Sequence, residues 1–118
     1  TAFLTTEESG AHRLYKQAVL QADESTLTLT DKISGKYARG IRNELIDKLA
    51  GGSGRSPDYP IQNTLTQEIR KEAQRQDNVQ YMSLWSGQSP RLARHEKVRI
   101  LMQRLIKETD DLLNIRYE

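Results

Sequence analysis

The sequence predicts a mostly α-helical chain, and three observations carry that reading. Apolar residues recur at helical spacing in four separate stretches. Only one stretch alternates as a strand would. Glycine, serine and proline gather between the periodic stretches, where turns belong.

The chain opens on Thr1-Ala2-Phe3-Leu4, read as the end of a buried strand or the start of a loop. No cap or turn precedes this run, so it reads as a beginning in mid-element; a processed N-terminus is the other reading. Thr5-Thr6-Glu7-Glu8-Ser9 is rich in N-cap and first-turn residues. The first helix follows, with Ala11, Leu14, Tyr15, Ala18, Val19 and Ala22 on one face. Thr26 to Thr30 alternates Thr and Leu and predicts an extended segment with no obvious partner in the chain. Ser34-Gly35 is a turn signal, after which Ala38, Ile41, Leu45 and Leu49 predict a helix to about Ala50. The stretch from Gly51 to Pro60 reads as a surface loop. Thr64 and Gln67 fit a capping box, and Leu65, Ile69 and Ala73 form a thin apolar stripe to about Gln76. Tyr81 to Trp85 is a short apolar patch, broken by Ser86 to Pro90. A last helix is expected from about His95 to Asn114, burying Val98, Leu101, Met102, Leu105, Ile106, Leu112 and Leu113. The sum is four or five helices, connecting loops and one strand.

At 118 residues the chain has one-domain length, with 36% hydrophobic residues, 29% charged residues, one Trp, five Tyr and one Phe. That is a lean core for a free-standing unit and points to a piece that leans on something larger. A net charge of +2 is too even to argue for nucleic acid or an anionic membrane. The absence of cysteine excludes disulfides and thiolate metal sites, with a lean to the cytosol. No apolar run reaches the length of a membrane span and no signal peptide is read.

Chemistry-bearing residues are few. His12 and His95 lack a second ligand at metal spacing and lack a nucleophile beside them, so both read as helix-start or surface residues. Lys36, Arg39 and Arg42 surround Gly40 and can hold an anion or form a solvated face with Glu44 and Asp47. Arg70, Lys71 and Arg75 are interrupted by Glu68 and Glu72 and carry no interleaved aromatics, which argues against nucleic acid. Trp85-Ser86-Gly87-Gln88 can line a pocket with a flat apolar wall and an adjustable amide, or anchor a loop to the core; the residues alone leave both open.

In order, Thr1 to Ser9, His12 with Tyr15-Lys16, Thr28 and Thr30, Ser34-Gly35-Lys36, Ala38 to Asn43, Pro57 to Asn63 and Trp85 to Leu92 resemble the C-terminal third of the nitronate monooxygenases, formerly 2-nitropropane dioxygenases. The flavin-dependent enoyl-acyl carrier protein reductases are similar over the first 45 residues and at the Ser-Gly-Gln, and fit less well at Pro57 to Asn63 and at Trp85.

The resemblance implies the C-terminal helices and cap of an FMN-binding TIM-barrel enzyme. Residues 1–50 would be the end of the barrel and the first cap helices, 51–63 a surface loop, and 64–118 the C-terminal cap helices. It implies that Thr1, from a Gly-Thr-x-Phe turn after the last barrel strand, contacts the FMN phosphate, where barrels gather phosphate sites. It places Trp85, Ser86, Gly87 and Gln88 on the substrate side of the cap. It implies a catalytic histidine earlier in the family's sequence, so no catalytic residue and no metal ligand is assigned to this chain.

The implied reaction is oxidation of an alkyl nitronate by the flavin, then reaction of reduced flavin with O2. The partners are the missing N-terminal barrel and the nitronate, without nucleic acid or membrane, in the cytoplasm; a homo-oligomer is left open. A reductase segment and a stand-alone helical interaction module are the alternatives. A piece of a larger enzyme would show an orphan strand at 26–30 and exposed apolar faces, whereas a stand-alone module would show a closed core.

Overall fold

A computed structural model of the chain describes residues 1–52 and 54–117. Ser53, in the glycine-rich loop, and Glu118, the last residue expected in the C-terminal cap, lie outside the described residues. Four helices dominate: α1 (Arg13–Gln21), α2 (Glu44–Ala50), α3 (Ile61–Arg75) and α4 (Val98–Tyr117). Two short strands, β1 (Leu27–Thr30) and β2 (Ala38–Ile41), lie between α1 and α2.

The alternating segment is a strand, but it is not an orphan. β1 pairs antiparallel with β2, Leu27 opposite Ile41 and Thr30 opposite Ala38. The helix expected from Ala38 therefore begins only at Glu44. Asn43 caps it, its side chain accepting the Ile46 N–H at 3.2 Å. The spacing of Ala38, Ile41, Leu45 and Leu49 mimics one helical face although it straddles a strand and a helix.

The predicted cap of the first helix is also elsewhere. Thr5 and Thr6 are buried, and their hydroxyls donate to Arg94 O at 2.8 Å and Phe3 O at 2.6 Å. Residues 1–4 form a turn closed by Leu4 N–H to Thr1 O, not a strand. His12 caps α1 instead, its Nδ1 accepting the Leu14 N–H at 3.0 Å.

α3 begins three residues before the expected capping box, and Pro60 at its N-cap makes no side-chain cap bond. Thr64 Oγ1 instead donates to Pro60 O inside the helix. The buried face is Gln62, Thr66 and Ala73. The physical reason lies in the β1–β2 connection, whose carbonyls need donors once they are covered. Gln62 Nε2 supplies one to Lys32 O at 2.5 Å, and Thr66 Oγ1 one to Ile33 O at 2.7 Å. Leu65 and Ile69, expected in the stripe, are 62% and 47% exposed.

Two small cores result. Val19, Ala22, Ile41, Ala73, Met82 and Leu84 form one. Ile33, Leu45 and Ile46 form the other, with Trp85 and Tyr81 packed against it. α4 contributes little to either. Of its expected buried side only Leu101 is buried, while Met102, Leu105, Ile106, Leu112 and Leu113 are exposed. The exposed apolar side of α4 is of the kind expected of a piece of a larger enzyme; the paired strand is not.

α4 starts at Val98 rather than His95, and its first N–H is taken by Glu8 Oε2 at 2.8 Å. Glu7 N–H donates to Glu96 O at 3.0 Å, so the segment before α1 runs beside the segment before α4.

Candidate functional site

The Trp85 segment is held as a third, one-residue strand beside β2. Trp85 bridges Gly40 antiparallel, with Ile41 N–H to Leu84 O at 2.9 Å and Ser86 N–H to Arg39 O at 3.1 Å. Gly40 permits this approach. A Cβ there would stand 3.2 Å from Leu84 O and 3.3 Å from Trp85 Cε3, so the indole lies against bare backbone.

Tyr15 on α1 fixes the same residue from the other side, its hydroxyl donating to Trp85 O at 2.5 Å. Burial pushes the Tyr15 phenol up to about 12. A raised folded value contributes stability that is complete below the ordinary tyrosine range near 10 and lost as pH climbs through about 12. An alkaline ultraviolet titration of the wild type minus Tyr15→Phe is expected to show a phenol ionising well above the ordinary tyrosine value; a difference curve centred near that ordinary value would refute the burial argument.

Thr1 lies at the far end of this segment. Gly87 N–H donates to Thr1 Oγ1 at 2.7 Å across 86 residues of sequence. Both residues are exposed. The Thr1 hydroxyl accepts in this bond, which leaves its own proton to donate to a further acceptor. The Ser86 hydroxyl donates to Gly87 O at 3.0 Å, and Gln88 is exposed. The structure thus brings Thr1 and the Trp85–Gln88 segment into contact.

The other candidates are not assembled. Arg42 pairs with Asp47 at 2.7 Å, Lys36 sits 5.0 Å over the Tyr59 ring, and Arg39 lies opposite Leu29 in the strand register. Arg70 folds back on Asn63, with bonds of 2.8 and 2.9 Å, and Arg75 clamps Glu72, holding that carboxyl down at about 2. The second ring nitrogen of His12, Nε2, faces Asp77 Oδ1 at 2.8 Å, so both ring nitrogens are engaged. His95 Nδ1 lies 3.2 Å from Thr5 O. Among the described residues no three His, Asp or Glu side chains gather to hold a metal. A surface concavity of about 470 Å³, lined by Ala11, Arg13, Lys16, Gln17, Leu20 and His95, includes none of the residues singled out around Thr1 and Trp85.

The family model described as nitronate monooxygenase matches residues 1–108. The chain belongs to the nitronate monooxygenase family. A probable nitronate monooxygenase of Staphylococcus saprophyticus is 48% identical over 114 residues, 97% of this chain and 32% of that protein. One from Staphylococcus haemolyticus is 50% identical over 115 residues, again covering 32% of that protein. The nitroalkane oxidase of Streptomyces ansochromogenes superimposes with a TM-score of 0.85 at 32% identity, over 97% of this chain and 32% of that one. FabK from Thermotoga maritima matches with a TM-score of 0.71 at 21% identity, over 97% of this chain and 37% of that one, which shows a shared fold alone. The chain therefore spans about a third of the length of the nitronate monooxygenase relatives it matches. Among the described residues, no helix is long and apolar enough to cross a membrane.

The sequence reading singled out Thr1 and the Trp85 motif separately and missed what joins them. It also gave Tyr15 no role beyond a helix face. The faint signal was a tyrosine where the apolar face of α1 elsewhere uses aliphatic residues.

Proposed function

We propose that this chain is the C-terminal third of an FMN-dependent TIM-barrel oxidoreductase that oxidises alkyl nitronates with O2, acting in the cytoplasm. Residues 1–50 carry the end of the barrel and the first cap helices, 51–63 a surface loop, and 64–118 the C-terminal cap. The observation that supports this most is the extent of the likeness: nearly the whole chain follows one third of the nitroalkane oxidase. The exposed apolar side of α4 supports it too, since about two thirds of the relatives' length is available to cover it.

Thr1 suits one contact to an FMN phosphate, the rest of whose site would come from outside this chain. A dianionic phosphate is held by donors, and Thr1 offers an exposed hydroxyl whose lone pair is already engaged by Gly87 N–H. When bound, the flavin supplies the electron transfer from nitronate to O2. The chain's own part is positional. Thr1 donates to the phosphate. Trp85, held by Tyr15 and Gly40, fixes the base of the segment that carries Ser86, Gly87 and Gln88 to the substrate side. We assign no catalytic base to this chain: the family's histidine is expected earlier in the sequence, His12 serves α1 and Asp77, and His95 Nδ1 lies beside the Thr5 carbonyl.

The test is made on the purified full-length protein, by intact mass, flavin absorbance and O2 uptake with an alkyl nitronate. The expected result is a mass about three times that of this chain, bound flavin released as FMN, and nitronate-dependent O2 consumption. Flavin-free protein, or flavoprotein that oxidises NAD(P)H with an enoyl thioester and ignores nitronate, would overturn the reading.

A further inference from the structure

We propose that Gly87 is a positioning residue for the flavin phosphate: its N–H holds the Thr1 hydroxyl as an acceptor and so turns the hydroxyl proton toward the phosphate. The inference rests on the reading of Thr1 as a phosphate contact and adds what that reading lacks. It couples the cofactor turn to the Trp85–Gln88 segment through one hydrogen bond.

Three observations carry it. First, the bond is short, 2.7 Å between Gly87 N and Thr1 Oγ1, and joins groups 86 residues apart. A hydroxyl left alone at a surface rotates among its staggered positions and donates to water. One that accepts a backbone N–H has a fixed lone pair, so its proton is confined to the remaining directions. An aligned donor meets a charged acceptor without the ordering cost of a free rotor. Second, a side chain at this position meets the Thr1 hydroxyl before anything else. An ideal Cβ on Gly87 would lie 2.9 Å from Thr1 Oγ1, so the hydroxyl would have to turn away to admit it. Gly87 has no φ in the left-handed region, so alanine there adds no backbone strain and its first effect falls on the Thr1 hydroxyl. Third, the segment presenting the Gly87 N–H is fixed rather than loose. Ser86 N–H is bonded to Arg39 O, and Trp85 O to Tyr15. The Gly87 N–H is therefore presented to Thr1 from a fixed base.

The test uses full-length apoprotein titrated with FMN, following the quenching of flavin fluorescence. Thr1→Ala and Gly87→Ala are each expected to weaken FMN binding by about 10-fold or more, the scale of one lost hydrogen bond to a charged group. The double variant is expected to be no weaker than Thr1→Ala alone, because alanine at position 1 removes the atom that the new methyl meets. Unchanged binding in Thr1→Ala overturns the assignment of Thr1 to the phosphate. Weakened binding in Thr1→Ala with unchanged binding in Gly87→Ala, or with additive losses, leaves that assignment standing and overturns the role of Gly87. A second measurement needs no change at Gly87. In protein labelled with 15N-glycine, the Gly87 amide is expected to exchange more slowly when FMN is bound, and to lose that protection in Thr1→Val. Equal exchange with and without FMN in the wild type overturns the coupling.

Discussion

Gly35→Ala is expected to destabilise the full-length protein by about 2–4 kcal/mol, read as a fall in the denaturation midpoint without a change in slope. Gly35 turns the chain between β1 and β2 with φ at +96°, a conformation L side chains rarely adopt. Its N–H closes the turn on Asp31 O at 2.8 Å. A Cβ would stand 2.5 Å from Tyr59 N, 2.8 Å from Pro57 O and 2.9 Å from the Asp58 carbonyl carbon. All three neighbours are backbone, so no side-chain tip can swing aside. The segment that would have to move leads directly into α3, which grips the same turn through Gln62 and Thr66. Strain and the loss of those bonds add together. A cost below about 1 kcal/mol would mean that the 57–59 segment relaxes freely.

Asn43→Ala is expected to cost about 2–4 kcal/mol, from a lost helix cap and two orphaned carbonyls. Asn43 is 5% exposed and uses both ends of its amide. Its oxygen accepts the Ile46 N–H, and its nitrogen donates to Val79 O at 3.2 Å and Met82 O at 2.8 Å. It therefore joins the start of α2 to the chain that leads into Trp85. Asn43→Asp separates the two roles. It keeps the cap acceptor and sets a carboxylate against two carbonyl oxygens, so at neutral pH it is expected to be at least as damaging as alanine. Thermal unfolding of both variants decides the matter; an aspartate milder than alanine would show that the cap outweighs the two carbonyl bonds.

These two residues also mark what could and could not be read from sequence. The strand at Thr26–Thr30 is legible because strict alternation has one common cause. Its partner is not, because Ala38, Ile41, Leu45 and Leu49 fall at helical spacing by coincidence, although the strand ends at Ile41 and Asn43 caps the helix that follows. On α3 the periodicity of Leu65, Ile69 and Ala73 is real, yet the helix turns Gln62 and Thr66 inward because the turn at 32–33 needs donors. Pattern reading ranks side chains by apolarity and has no view of carbonyls that other segments will bury. The apolar side of α4 was legible as apolar, but not as exposed, since its expected cover belongs to the barrel proposed above. At the candidate site, Thr1 was reached through a family motif, and Trp85 to Gln88 through the residue types of a short motif together with the same resemblance. Their contact depends on the neighbouring strand, and no local pattern encodes a bond spanning 86 residues.

The pairing of Thr5 to Glu8 with Arg94 to Val98 brings the two ends of the stretch from Ser9 to Ala93 together like the posts of a doorway. The chain leaves through that doorway and returns to it, and α4 takes its starting direction from Glu8 on the outgoing side. Lengthening or trimming that stretch at its tip, in the glycine-rich loop for instance, leaves both posts of the doorway where they were.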